Sequence, residues 1–545
     1  MSLAADNLED LRRKLNAALA DFKAGRIGEA AQSYRAIVED IPDQPDALHM
    51  LGVIAYRMGR TELALQLYDE TLRAVPTFAL AWSNRALILR LLDRRQEALQ
   101  SGRQAIACDP KLADGWDITG VLLRERRQYA VACQHHARAI ALNPHNHHIQ
   151  NNYAVALAAL GRFAEAYRAA SKAVLIDPSY AVGHLTVANI LNEAGYPARA
   201  VPHYQKAATL DPNLPEAVSS EGRSLMLIGN MEMGWEKMET RSYDKKRFAA
   251  LPRWNGEKVK HLLLYAEQGA GDVIQFLRYI PLIRERAETI SLEVPVSLQR
   301  LVAAHMPGSI VITPNDPLPA ADAHGLLMSL PYMCRTKLDT IPAALPYLHV
   351  KESQRVPWRE RLAALPRPRI GVVWMGNPLY GKDHNRSLNL DQIKPLLEMA
   401  RPHFISLQKG STTATASNVA IFDADSWLTD FSATAALITE LDLVITVDTG
   451  VAHIAGALGK PVWILLPFMP DWRWMLGRED SPWYPTARLF RQRAPQDWVA
   501  VIERARGELR KFLAGDRTVL APLLWDGKIL QQNPDAIPLP EEAAV

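Results

Sequence analysis

The chain has 545 residues, 48% of them hydrophobic and 22% charged, with 29 glycines and 36 prolines. That length is several times one ~150-residue core, and the composition excludes a disordered or fibrous polypeptide. Lysine and arginine number 62 against 59 aspartates and glutamates, which excludes the strong basic field of a dedicated nucleic-acid binder. Cys108, Cys133 and Cys334 are far apart and form no CxxC pair. Neither a disulfide framework nor a structural zinc site is therefore expected, and a reducing compartment fits. The N-terminal MSLAADNLEDLRRKLNAAL has no apolar targeting core, and no later run reaches the ~18 apolar residues of a membrane span. A cytoplasmic protein with no membrane span and no nucleic-acid partner is expected.

After an extension over residues 1–10, a repeat sets in. Pro42, Pro76, Pro110, Pro144, Pro178 and Pro212 stand 34 residues apart. Small residues keep the same beat at Gly52, Ala86, Gly120, Ala154, Ala188 and Gly222, and again at Ala30, Ala64, Ala98, Ala132, Ala166 and Ala200. Small side chains let two helices of a unit approach closely, and the proline stops the second before the next unit begins. Each unit reads as a helical hairpin, and the pattern resembles the tetratricopeptide repeat. Six full units span 11–214. A degenerate seventh keeps Gly222 and Gly229 but places Gly234 and Arg241 where small Ala would sit, and it caps the array, which ends at 248. The resemblance implies an all-α superhelix with a concave surface for a partner protein; a self-packing scaffold is the alternative. His135, His136, His145, His147 and His148 have no partnering Cys or i, i+4 acid, so surface histidines are expected there and not a metal site.

Residues 249–260 mix proline, glycine and charge and read as a linker. Beyond them apolar runs (LLLYA, TISLEV, SIVIT, RIGVVWM, HFISL, VAIFD, LVITV, PVWILL) alternate with helical stretches. Strands without polar alternation indicate parallel sheets buried on both faces. Two Rossmann-like α/β lobes follow, 261–360 and 369–512, with a cleft between them, then a mobile tail over 513–545.

Two strand-to-helix junctions carry the candidate chemistry. In the first, Gln268, Gly269 and Gly271 lead into Asp272, which suits a general base or substrate anchor and equally a helix N-cap. In the second, Asp448, Thr449, Gly450, Val451 and His453 open a helix whose N-terminal amides suit a phosphate. Here the alternative is that Asp448 and Thr449 only cap the helix and His453 belongs to the core. Lys382, Arg386 and Lys409 follow strands in loops facing the cleft and are candidate phosphate cations or plain surface charges. Trp472, Trp474, Trp483 and Tyr484 are candidates to stack a base or sugar, or aromatic core.

The string DTGVAHIAGALGKP resembles the C-terminal signature of glycosyltransferase family 9, the ADP-heptose:lipopolysaccharide heptosyltransferases, and the Gly-Asp junction at 271–272 looks like that family's N-terminal signature. The resemblance implies a GT-B fold of two lobes, an inverting transfer without metal or cofactor, and a nucleotide-sugar held mainly by the C-terminal lobe. It further implies Asp272 as catalytic base and Asp448, Thr449, Gly450 and His453 in the diphosphate loop. The loop PFMPDWRWMLGREDSPWYP departs from the family's Gly-Pro-Thr type turn, which puts the nucleotide or sugar in doubt. Helical repeats joined to a GT-B pair are also similar to protein O-GlcNAc transferases, whose G-H-T-T type motif is missing, and in organisation to bacterial flagellin-modifying transferases. The expectation is a sugar transferred to a protein captured by the repeats. A lipopolysaccharide or lipid-linked glycan acceptor, and a non-catalytic repeat scaffold, are the alternatives.

Overall fold

The structure is a computed structural model that describes residues 2–241, 243, 246–381, 383–399, 403–410 and 421–541. The chain divides into two compact units, Met1–Ile190 with Leu539–Val545, and Leu191–Pro538. The break therefore falls inside the helix Ala181–Glu193 and not at residue 248, where the sequence period stops. The reason is apolar burial. Met226, Leu227, Met231, Trp235 and Met238, from the last repeat helices, belong to the same hydrophobic core as the strands that follow. Among the described residues no helix is long and apolar enough to cross a membrane.

In the first unit, helices of 14 and 13 residues alternate, as in Ile27–Asp40, Pro45–Arg57, Thr61–Ala74 and Ala79–Leu91. The 34-residue prolines act as stops through the residue before them. Ile41, Val75, Asp109, Asn143 and Asp177 end their helices extended, with φ from −142° to −134°, because the proline ring crowds the α conformation of its predecessor. The small-residue row does geometric work. A Cβ added at Gly52 would lie 2.6 Å from the Tyr68 ring, and one at Gly120 would lie 2.7 Å from the His136 ring. His136 is thus no surface histidine: it is buried, its Nδ1 is 2.8 Å from Asp117 Oδ1, and Asp117 Oδ2 accepts from Asn152 Nδ2 at 2.9 Å. His145 and His148 are exposed, as expected.

A second 34-residue row lies in the turns. Gly25, Gly59, Asp93, Arg127, Gly161, Gly195 and Gly229 all have positive φ, and each sits in the turn between the two helices of a unit. Arg127, at φ 60°, occupies an exposed position where a side chain is strained. Arg127→Gly is expected to raise stability by about 1 kcal/mol in equilibrium denaturation; an unchanged or lower midpoint would count against strain at that turn.

In the second unit two parallel sheets follow the last repeat helices. The first contains β1 (Val259–Tyr265), β2 (Ala287–Glu293), β3 (Ile310–Ile312) and β4 (Ala323–Leu326), in the order β3-β2-β1-β4. The second contains β5 (Arg369–Val373), β6 (His403–Ser406), β7 (Phe422–Asp423), β8 (Leu443–Val447), β9 (Val462–Leu466) and β10 (Ala487–Arg491), in the order β10-β9-β8-β5-β6-β7. In each sheet the chain leaves a central strand and returns on its other side. Such a reversal opens a crevice at the carboxyl ends of the central strands, β1 with β4 and β5 with β8.

Two connections are more ordered than their composition suggests. Residues 249–260, expected as a linker, lie against the first sheet: Trp254 is buried, its N–H donates to His324 O at 2.7 Å, and His324 N donates back to Pro252 O at 3.0 Å. The expected mobile tail is likewise pinned. The last C-lobe helix runs Trp498–Leu513. Farther on, Asn533 is buried, its backbone N–H donates to Gly195 O at 2.8 Å, and its Nδ2 donates to Phe468 O at 2.9 Å. Ile537 N adds a bond to Ala194 O. Backbone acceptors distant in sequence hold this segment, and composition does not report them.

Candidate functional site

The site forms where the two junctions meet. Helix α1 (Ala270–Phe276) leaves β1 and helix α2 (Gly450–Ala457) leaves β8. A Cβ added at Gly271 would lie 2.7 Å from His453 Cδ2, and one at Gly450 would lie 3.8 Å from Gly271 N. The two motifs are therefore in direct contact, and the missing side chain at Gly271 is what lets the helices approach.

Asp272 is not the N-cap residue of α1. Gly269 holds the N-cap position, and Asp272 is the third helical residue. Burial, with the neighbouring Asp471 carboxylate, raises its pKa against the Arg473 guanidinium and the amides of Gly269 and Asp272, which favour the ionised form. Gln268 and Gly269 are exposed on the loop ahead of it.

At the second junction, Thr449 takes the N-cap position of α2 without making a capping hydrogen bond; its hydroxyl pairs with Thr446 Oγ1 at 3.1 Å. The start of the helix is thus left without a side-chain cap. Val451 turns its side chain into the core, leaving only its backbone to a ligand. Arg386 reaches across from the loop after β5, donating from Nη1 to Asp448 O at 2.8 Å and from Nε to Asp383 Oδ1 at 2.9 Å. Lys409 follows β6, one strand farther out; it is exposed and paired with Asp425 at 2.8 Å, not with the Asp448 loop. Lys382 lies outside the described residues.

His453 is a core residue in its contacts. It is 5% exposed, its Nδ1 lies 2.8 Å from Tyr484 Oη, and its ring stacks on Trp474 with centroids 5.7 Å apart. Burial first, then Arg473, Arg278 and Arg386, push its pKa well below 6.5, so the ring is neutral. Trp472, Trp474, Trp483 and Tyr484 are all buried. They form core, with Trp235 edge-on to Trp472 at 5.0 Å, and offer no open face for a base or sugar.

The residue that sequence reasoning missed is Arg473. It is 7% exposed in the loop after β9, between the two tryptophans. Its Nη2 donates to Asp272 Oδ1, its Nε to Gln275 Oε1, and its Nη1 to Asp471 Oδ1 at 2.7 Å. The signal was present as a lone cation amid the aromatics of DWRW, a burial pattern that demands an acidic partner.

Asp448 is the electrostatic counterweight. Burial and the neighbouring Asp471 carboxylate push its pKa up to about 6, against the opposing Trp474 indole, Arg386 and Arg473. An unfolded aspartate titrates near 3.8, so between those values the folded state holds the extra proton. Stability is therefore expected to fall as pH rises from about 4 to about 6, by roughly 1–2 kcal/mol once solvent screening is allowed for. Asp448→Asn is expected to flatten that slope in a denaturation series; an equal slope in both proteins would exclude Asp448 as its source. Among the described residues no three His, Cys, Asp or Glu side chains converge as a metal-ligand set.

Residues 15–77, 49–113 and 119–181 match the tetratricopeptide repeat family. The repeat array is a TPR array. Residues 428–465 match glycosyltransferase family 9 (heptosyltransferase), a span that includes β8, Asp448, Thr449, Gly450 and His453 but not Asp272. Protein FlbA of Caulobacter vibrioides is 25% identical over 351 residues, a match covering 57% of this chain and 58% of FlbA, less than two thirds of that protein. Among solved structures, the Cut9–Hcn1 hetero-tetramer of APC/C aligns with TM-score 0.38 and 17% identity over 41% of this chain and 45% of that one. YrrB, a TPR protein with an unusual peptide-binding site, aligns with TM-score 0.27 and 18% identity over 34% of this chain and 97% of its own. TPR repeats followed by parallel α/β sheets, with a family 9 segment in the second sheet, make this a glycosyltransferase-like TPR protein.

Proposed function

We propose that the α/β lobes transfer a sugar, with inversion, from a nucleotide-sugar to a protein acceptor captured by the TPR array. The observation that carries this reading is the Gly271–His453 contact, which sets a carboxylate at the end of β1 beside an uncapped helix start at the end of β8. Inversion needs a base on one side of the anomeric carbon and stabilised charge on the other. Asp272 takes the proton of the acceptor hydroxyl as its oxygen attacks. The bond from the anomeric carbon to phosphate breaks, and the electron pair leaves with the nucleoside diphosphate. The amides of α2, with Arg386 on the loop after β5, stabilise that charge in place of a metal ion; Lys409 lies farther out.

The test is calorimetry of the purified chain with ADP-, UDP-, GDP- and CMP-sugars, followed by transfer assays with the bound donor. Binding of one donor and transfer abolished in Asp272→Ala are expected; no binding to any of them would sink the reading. The heptosyltransferase description of family 9 favours a second acceptor, a lipopolysaccharide or lipid-linked glycan. Mass spectrometry of proteins and envelope glycans from a deletion strain separates the two, since loss of a glycan modification alone would replace the protein acceptor.

A further inference from the structure

Arg473 has more partners than a simple ion pair requires. Its guanidinium holds Asp272 and Gln275 of α1 and Asp471 of its own loop, while the Arg473 backbone N–H also donates to Asp471 Oδ1 at 3.1 Å. The Trp472 ring lies 4.3 Å beneath it, and Phe276 flanks it at 6.0 Å. Asp272, Gln275 and Phe276 stand at i, i+3 and i+4, one face of a short helix. One side chain from the C-lobe therefore grips the N-lobe helix along the face that carries the proposed base. A fork of fixed donors confers orientation that a single ammonium does not.

We propose that Arg473 is a positioning residue for Asp272, fixing the rotamer and the ionised state of that carboxylate and tying its place to the lobe that holds the donor. The inference rests on the reading of Asp272 as the base. Burial opposes ionisation of Asp272, and Arg473 is the strongest influence favouring it. Charged or titratable groups that act on Asp272 or Arg473 include Asp471 on the same loop as Arg473, Glu267 ahead of α1, Asp448 and the neutral His453 of the second junction, and Tyr484 before β10. Without the guanidinium, Asp272 loses its main counter-charge and keeps the repulsion of Asp471.

Two measurements on the full chain test this. The first needs no donor: carbodiimide labelling of carboxyls, read at Asp272 by mass spectrometry from about pH 4 to about pH 8. Labelling is expected to persist to a pH at least about one unit higher in Arg473→Gln than in the wild type; coincident profiles would overturn the proposal. The second uses whichever nucleotide-sugar of the panel the wild type turns over. Arg473→Gln is expected to lower kcat more than roughly tenfold with donor KM little changed, and to move the acid limb of the kcat profile upward. Arg473→Lys keeps the charge and is expected to restore the acid limb while kcat stays low, which also covers a Gln variant that fails to fold. A rise in KM alone, or full kcat in the Lys variant, would overturn the proposal. A wild type inert toward every donor counts against the proposed activity instead, and the labelling comparison is read independently of it.

Discussion

Asp272→Asn is expected to lower glycosyl transfer by about 10²–10⁴-fold, the usual contribution of a positioned general base, with donor binding retained. The amide keeps an oxygen able to accept from Arg473 Nη2, so the clasp on α1 survives and the loss falls on proton transfer. The carboxylate also lies outside the segment matched to family 9, on the other lobe from the proposed diphosphate site. Donor affinity and kcat therefore separate cleanly in this variant. The measurement is kcat and KM for the identified donor beside a thermal melt. A variant that turns over within a few-fold of the wild type would remove Asp272 from the reaction and leave the proposed mechanism without its base.

The second large effect is expected at Gly271. An alanine there puts a methyl 2.7 Å from a ring carbon of His453. The ring has nowhere to go, since it is buried, held by Tyr484 Oη at 2.8 Å and stacked on Trp474. Tyr484 is fixed in turn, because Gly456 of α2 lies so close beneath it that a Cβ there would fall 2.3 Å from its ring. Gly271→Ala must then move α1 away from α2, at a cost of about 1–3 kcal/mol. It also shifts Asp272 relative to the donor loop, and a displacement of ~1 Å at a reacting pair costs on the order of 10²-fold in rate. Denaturation midpoint and kcat should fall together; a variant unchanged in both would show that the junctions have slack and do not need their contact.

The contrast between Arg386 and Lys409 shows where the sequence stops being informative. Both are cations in loops after apolar runs, and nothing local separates them. The strand order does: β5 lies beside β8 and carries Arg386 to the Asp448 loop, whereas β6 lies one strand out and leaves Lys409 with Asp425. The repeat was legible because proline and small residues act within one hairpin, over a few residues of chain. The strand-end junctions were legible because parallel strands are apolar throughout and end in glycine and aspartate. Arg473 was not, because its partner Asp272 lies 201 residues away and neither residue announces the other. The aromatic run around it was read as a question between ligand and core, and burial answers it as core.

Asn533 joins the carbonyl of Gly195, in a repeat turn, to the carbonyl of Phe468, in the loop that carries Arg473. A ribosome makes those two acceptors long before it makes the asparagine that links them. The nascent chain can thus build its hairpins and both sheets in order, yet the stitch between turn and loop is added late. Assembly of this unit has a built-in sequence of events, with the loop after β9 gaining this last tie only once the strands beside it have been translated.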